Sequence, residues 1–167
     1  MYWIRFCVLT VGTLVVQASL GDVVAVTSRG IRPDLLLILM VYFAVHGLPS
    51  DAVLTSFGIG LGNDLIGWTV GPQMLSFGLC GTLLSHVRQT IVIRKAPHQS
   101  LAILAAGVAT SALTRILAQV KGVPVPDAPL DQMLWGPLYS AIIGPAIWVP
   151  LEWVMRLQDK RYRLRMR

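Results

Sequence analysis

Leu35-Leu36-Leu37-Ile38-Leu39-Met40-Val41-Tyr42-Phe43-Ala44-Val45 has no polar side left for water. An amphipathic helix would break such a run every third or fourth residue, and a half-buried strand every second. A segment apolar all round is a helix enclosed on every side, by protein or by lipid. Ala102–Ala109 reads the same way. Working outward, six apolar stretches follow one another with short breaks: Trp3–Leu20, Pro33–His46, Asp51–Trp68, Gln73–Ile93, His98–Val120 and Met133–Met155. A membrane-spanning helix needs about 20 apolar residues, and lipid tolerates only elements that close their own backbone hydrogen bonds. The expectation is therefore an all-α integral membrane protein. Residues 1–155 form a compact bundle of six transmembrane helices, and 156–167 form a basic cytoplasmic tail. A β-barrel would alternate apolar and polar residues, which these runs do not.

The charges set a topology. Of the 14 Lys and Arg residues, six lie between Arg156 and Arg167. With a cytoplasmic N-terminus and six crossings, these join Arg5, Arg88, Arg94 and Lys95 inside, while Arg29, Arg32 and Lys121 lie outside. Arg115 remains within a segment. The positive-inside rule then puts both termini in the cytoplasm of a bacterial inner membrane. Arg156, Lys160, Arg161, Arg163, Arg165 and Arg167 are read as contacts to anionic lipid or a cytoplasmic partner rather than to nucleic acid. Arg5 followed by Phe6–Val16 has the form of a signal peptide, but cleavage would leave five crossings and split the basic loops between two faces. The first segment is therefore expected to stay as a helix.

Several residues stand out within this frame. Pro33 suits the first turn of a helix and Asp34 its positive end. In Ser56-Phe57-Gly58-Ile59-Gly60-Leu61-Gly62-Asn63-Asp64, Gly58 and Gly62 share one helix face, and Ser56 with Gly60 makes a second small pair. Such faces let helices approach closely, or form a docking groove for a partner. Asp64 either caps the turn before Gly71 and Pro72 or pairs with Arg115 across the bundle, and Arg115 otherwise snorkels toward the surface near Lys121. Pro137, Pro145 and Pro150 are expected to bend or break the last helix. Cys7 and Cys80 read as small buried residues. His46, His86 and His98 fall at segment ends without metal-ligand spacing. No nucleophile and base can be brought to one depth, so neither catalysis nor a cofactor is expected.

Ile31-Arg32-Pro33-Asp34 with its apolar run resembles the motif that opens the second segment of the bacterial rod shape-determining MreD family. The block from Phe57-Gly58 through Asp64-Leu65-Ile66 to Val70-Gly71 is similar to that family's glycine and aspartate signature at a similar distance. Gln17 and Trp148-Val149-Pro150-Leu151 also fit. The closer spacing of Gly58, Gly60 and Gly62, and the presence of Arg115, depart from the pattern. The resemblance implies a non-catalytic membrane subunit of the cell-elongation machinery that organises lateral peptidoglycan synthesis. Its partners would be an MreC-like bitopic protein, MreB-like filaments, a RodA-like glycosyltransferase and a penicillin-binding transpeptidase. It also implies a six-helix arrangement shared with substrate-binding subunits of vitamin transporters. A small-molecule-binding subunit, with Trp68, Trp135, Trp148 and Trp153 as lining, is therefore the alternative.

Overall fold

The computed structural model describes residues 3–20, 33–66, 71–88, 96–122 and 130–156. These form six α-helices and, among the described residues, no strand: α1 (Trp3–Leu20), α2 (Leu35–His46), α3 (Pro49–Ile66), α4 (Pro72–Val87), α5 (Ala96–Val120) and α6 (Leu130–Arg156). Trp68, Arg94, Lys95, the tail residues beyond Arg156 and the site residue Arg32 lie outside the described residues.

The run that opened the sequence analysis becomes the axis of the molecule. Leu36 through Ala44 are all buried, and the other five helices all touch α2. Around it they follow in the order α1, α3, α4, α5, α6, each against the next. Among the described residues α6 and α1 do not meet, so the ring of described helices is open on that side. At 12 residues α2 is about 18 Å long, well short of a typical hydrocarbon core. Being enclosed by protein, it does not have to match that thickness by itself.

Several boundaries and one shape depart from expectation; α3, α5 and α6 each start two or three residues early, at Pro49, Ala96 and Leu130. Helix α2 begins at Leu35 rather than Pro33, because Asp34 is its N-cap in extended conformation and Pro33 is buried just before it. Helix α4 starts one residue early, with Pro72 at its first position, and closes at Val87 rather than Ile93. Helix α6 runs through Pro137, Pro145 and Pro150 as one helix of 27 residues, so of the two expectations, bent or broken, the break is absent. Cys80 is buried as expected, but Cys7 is exposed.

Two stretches, Pro97–Val120 and Leu134–Leu151, are long and apolar enough to cross a membrane; Trp3–Ser19 and Leu35–His46 are shorter apolar helices. Polarity is distributed inside out. Thr55, Ser56, Ser76, Ser85 and Ser140 are fully buried. Each donates its hydroxyl to a carbonyl three or four residues earlier, so each is satisfied within its own helix. Exposed instead are Ile4, Val8, Val11 and Val15 along α1, and Leu75, Leu79, Leu83 and Val87 along α4. Spacings of three and four put each set in one row on the helix surface.

Candidate functional site

Asp64 makes the most consequential polar contact. Its carboxylate is 0% exposed and accepts three backbone N–H bonds: Gly71 at 2.8 Å, Met74 at 2.9 Å and Gln73 at 3.1 Å. The first turn of a helix leaves its N–H groups without partners. Helix α4 has Gly71 at its N-cap, which offers no side chain, and Pro72 at its first position, which has no N–H. Gln73 and Met74 are the free donors that remain, and Asp64 takes both from the end of α3. Its negative charge also lies at the positive end of the α4 dipole. Gly71 has φ of 125°, which favours glycine, and a Cβ there would stand 3.2 Å from Lys121 Nζ.

Of the two readings of Asp64, these three bonds are those of the capping one. Arg115 is half-buried on α5.

A second polar joint ties three helices at the start of α2. The Asp34 side chain accepts from Leu37 N–H at 3.0 Å, and its own N–H donates to Ser140 Oγ of α6 at 2.8 Å. Gln17 of α1 accepts from Leu36 N–H through Oε1 at 3.2 Å. At the other end of α2, the Arg88 guanidinium donates to the carbonyls of Val45 and Gly47. A cation at a helix C-terminus is favourable on both dipole and hydrogen-bond grounds. Ser140 and Arg88 were not legible as joints, because nothing in spacing says which helix end a distant side chain will meet.

The glycine-rich stretch of α3 serves two neighbours at once. Cβ atoms added at Gly58 and Gly62 would meet Phe6 and Leu14 of α1, at 3.6 and 3.0 Å. A Cβ at Gly60 would meet the α4 backbone, 2.7 Å from Met74 Cα and 2.8 Å from Gln73 O. Of the two readings of the Gly58 and Gly62 face, close helix packing is the one that this approach of α1 fits.

Near the Arg88 end, Tyr42 stacks on His46 at 4.5 Å between ring centroids, and both meet the Trp148 ring edge-on. Trp148 is 1% exposed and its Nε1 has no hydrogen-bond partner. Two cavities flank the core. One, of about 300 Å³, lies in the opening between α1 and α6, floored by Leu35 and Leu39. The other, of about 370 Å³, lies between α4 and α5 beside Cys80, Leu84 and Ala106, with His98 at one end. Among the described residues no group of His, Cys, Asp or Glu is arranged to hold a metal ion.

These features define an all-helical bundle whose buried polar groups hold helix ends to one another. No family model, curated protein or solved structure matches the chain.

Proposed function

We propose that this chain is a six-span protein of the bacterial cytoplasmic membrane with both termini inside, and that it serves the cell-elongation complex as a non-catalytic subunit of the MreD type. The observation that carries the membrane reading is the inside-out distribution of polarity. Hydroxyls and the Asp64 carboxylate are buried, while whole rows of leucine and valine face outward on α1 and α4. Water penalises that arrangement and lipid does not.

The reading of role rests on the two motif blocks. Arg32-Pro33-Asp34 opens the central helix, which the Asp34 N–H ties to α6 and the Leu36 N–H ties to α1. The block ending in Asp64 fixes the α3–α4 turn. Both blocks hold helices in place, as a scaffold needs. In this proposal the bundle organises lateral peptidoglycan synthesis by holding an MreC-like bitopic protein, and through it MreB-like filaments, a RodA-like glycosyltransferase and a penicillin-binding transpeptidase. Arg156 and the basic residues Lys160, Arg161, Arg163, Arg165 and Arg167 hold anionic lipid or a cytoplasmic partner, at about 1 kcal/mol for each cation near the surface.

The vitamin-transporter alternative needs a cavity with converging polar groups. The two cavities described above are lined almost wholly by apolar side chains, so they favour helices and lipid over a polar small molecule. Depleting the protein in the bacterium that encodes it tests the choice. Rod-shaped cells should widen and round up as lateral wall synthesis becomes disordered. Unchanged cell width together with lost uptake of a vitamin would replace the scaffold by the transporter subunit.

A further inference from the structure

We propose that the groove between α4 and α5 holds one acyl chain of a membrane phospholipid, seated with its head group at the His98 end. The proposal rests on the membrane reading of the bundle. The groove, of about 370 Å³, is built by the packing on either side of it. On its far side α4 is drawn onto α3. A Cβ at Gly60 would stand 2.7 Å from Met74 Cα, and Cβ atoms at Gly78 and Gly81 would run into Phe57 and Ser56. On its own far side α5 is drawn onto α2 and α6, where a Cβ at Gly107 would stand 2.6 Å from Pro137 Cβ and 2.8 Å from Leu37 Cδ2. Between the two, α5 lines the groove with Ala102, Ala105, Ala106 and Ala109. That spacing is one helix face. Side-chain volume is therefore missing there, and neither helix can move in to replace it without leaving its glycine contacts. Protein interiors are packed as densely as organic crystals, and an apolar cavity of about 150 Å³ already takes up a benzene-sized guest.

Length, ends and width select the guest. From His98 to Ala109 the groove follows α5 for about 16 Å, or about three turns. That is the depth of one leaflet, half of a hydrocarbon core about 30 Å thick. In the alternating crossings proposed above, α4 runs the other way, so Val87 stands at the His98 end and Cys80 at the deep end. Every lining residue except His98 is aliphatic or a cysteine, so polarity is confined to one end. Arg88 follows Val87 there, and its guanidinium keeps its positive charge while donating to the Val45 and Gly47 carbonyls. An apolar slot one leaflet deep, with an imidazole and a guanidinium at its mouth, matches a hydrocarbon chain that ends in a phosphate. A helix does not fit. Helices α4 and α5 touch each other, and an inserted helix would need about 8–10 Å to the axis of each.

The test counts lipid on the full chain, purified in mild detergent from the membranes of its own host. Native mass spectrometry should find one phospholipid per chain. Ala105→Trp and Ala109→Trp fill the groove from the exposed side of α5, and each should lower the retained phospholipid at least tenfold. Ile142→Trp, on the outward face of α6, should leave it unchanged. On the unaltered chain, a phospholipid with a diazirine at the tip of one acyl chain should label Cys80 and Ala109 at least tenfold more than Leu79. Leu79 faces outward beside Cys80, so depth in the bilayer does not separate them. No retained phospholipid, free fatty acid in its place, retention that survives both groove tryptophans, or equal labelling of Cys80 and Leu79 would each overturn the proposal. So would protein adducts from a benzophenone amino acid at Ala105, whether on another protein, a second copy or this chain itself. Carbonate washing of the host membranes separates the two levels. A chain released by the wash fails as a membrane protein and takes the groove with it, whereas a retained chain that carries no phospholipid removes the groove alone.

Discussion

Asp64 shows how one side chain can carry the geometry of a whole turn. Its two oxygens accept three N–H groups because Gly71 and Pro72 leave α4 without a cap of its own. Asp64→Asn keeps the shape but gives up the charge and turns one acceptor into a donor facing other donors. The expected cost is about 2–3 kcal/mol, the range for losing a charged hydrogen-bond partner in a buried site. Unfolding of the purified protein in detergent measures it, and a loss below about 0.5 kcal/mol would contradict the capping role. The same geometry predicts that Asp64→Asn and Arg115→Gln combine additively to within about 0.5 kcal/mol, since three backbone N–H groups already occupy the carboxylate. A coupling above about 1 kcal/mol in that double-mutant cycle would restore the ion pair. Asp64 was legible as a residue that needed an explanation, and Gly71-Pro72 supplied one candidate. The choice between cap and ion pair was not legible, because it depends on where the α3–α4 connection returns.

At the scale of elements, glycine is the informative residue because the same substitution has opposite outcomes in two helices. Gly→Ala inside a helix gains about 1 kcal/mol from propensity alone. At Gly12 the new methyl group meets open space, so Gly12→Ala should leave stability unchanged or raise it by up to that amount. At Gly60 it would land 2.7 Å from Met74 Cα, against backbone that cannot rotate away. Forcing α3 and α4 apart should cost about 1–3 kcal/mol despite the propensity gain. Thermal unfolding of the two variants side by side checks the contrast, and equal shifts would mean that α3 and α4 are not this close. The GxxxG spacing announced close packing in advance. It did not announce that Gly58 and Gly62 face α1 while Gly60 faces α4, because spacing defines the faces of a helix and not its neighbours. Helix α6 teaches the complementary lesson: three prolines left a bend and a break both open, and the helix continues through all of them.

For the molecule as a whole, the question is which solvent its surface was built for, and exposed leucines decide it. The apolar run of α2 told in advance that it would be enclosed on every side, but not that the ring of described helices would be open on one side. Leu79 and Leu83 project from α4, 49% and 64% exposed, and touch nothing whose loss would unfold the bundle. In a water-soluble protein, replacing such residues by arginine changes stability by no more than about 0.5 kcal/mol. In a bilayer each arginine at mid-depth costs about 2.5–3.5 kcal/mol on insertion scales, and more for a side chain too far from the interface to snorkel. Leu79→Arg lies near the middle of α4 and Leu83→Arg one turn nearer its C-terminal end, so the first should be the more damaging. The expected result is a graded loss of carbonate-resistant protein from the membrane fraction, Leu79→Arg below Leu83→Arg and the double variant below both. Ile4→Arg, at the end of α1 and 81% exposed, is the matched control: a cation there reaches headgroups and should leave the membrane-bound amount intact. If all three variants behaved alike, the apolar rows would not be facing lipid and the outward surface would need a protein partner to cover it. A graded response that follows depth along the helix is one that only a bilayer produces.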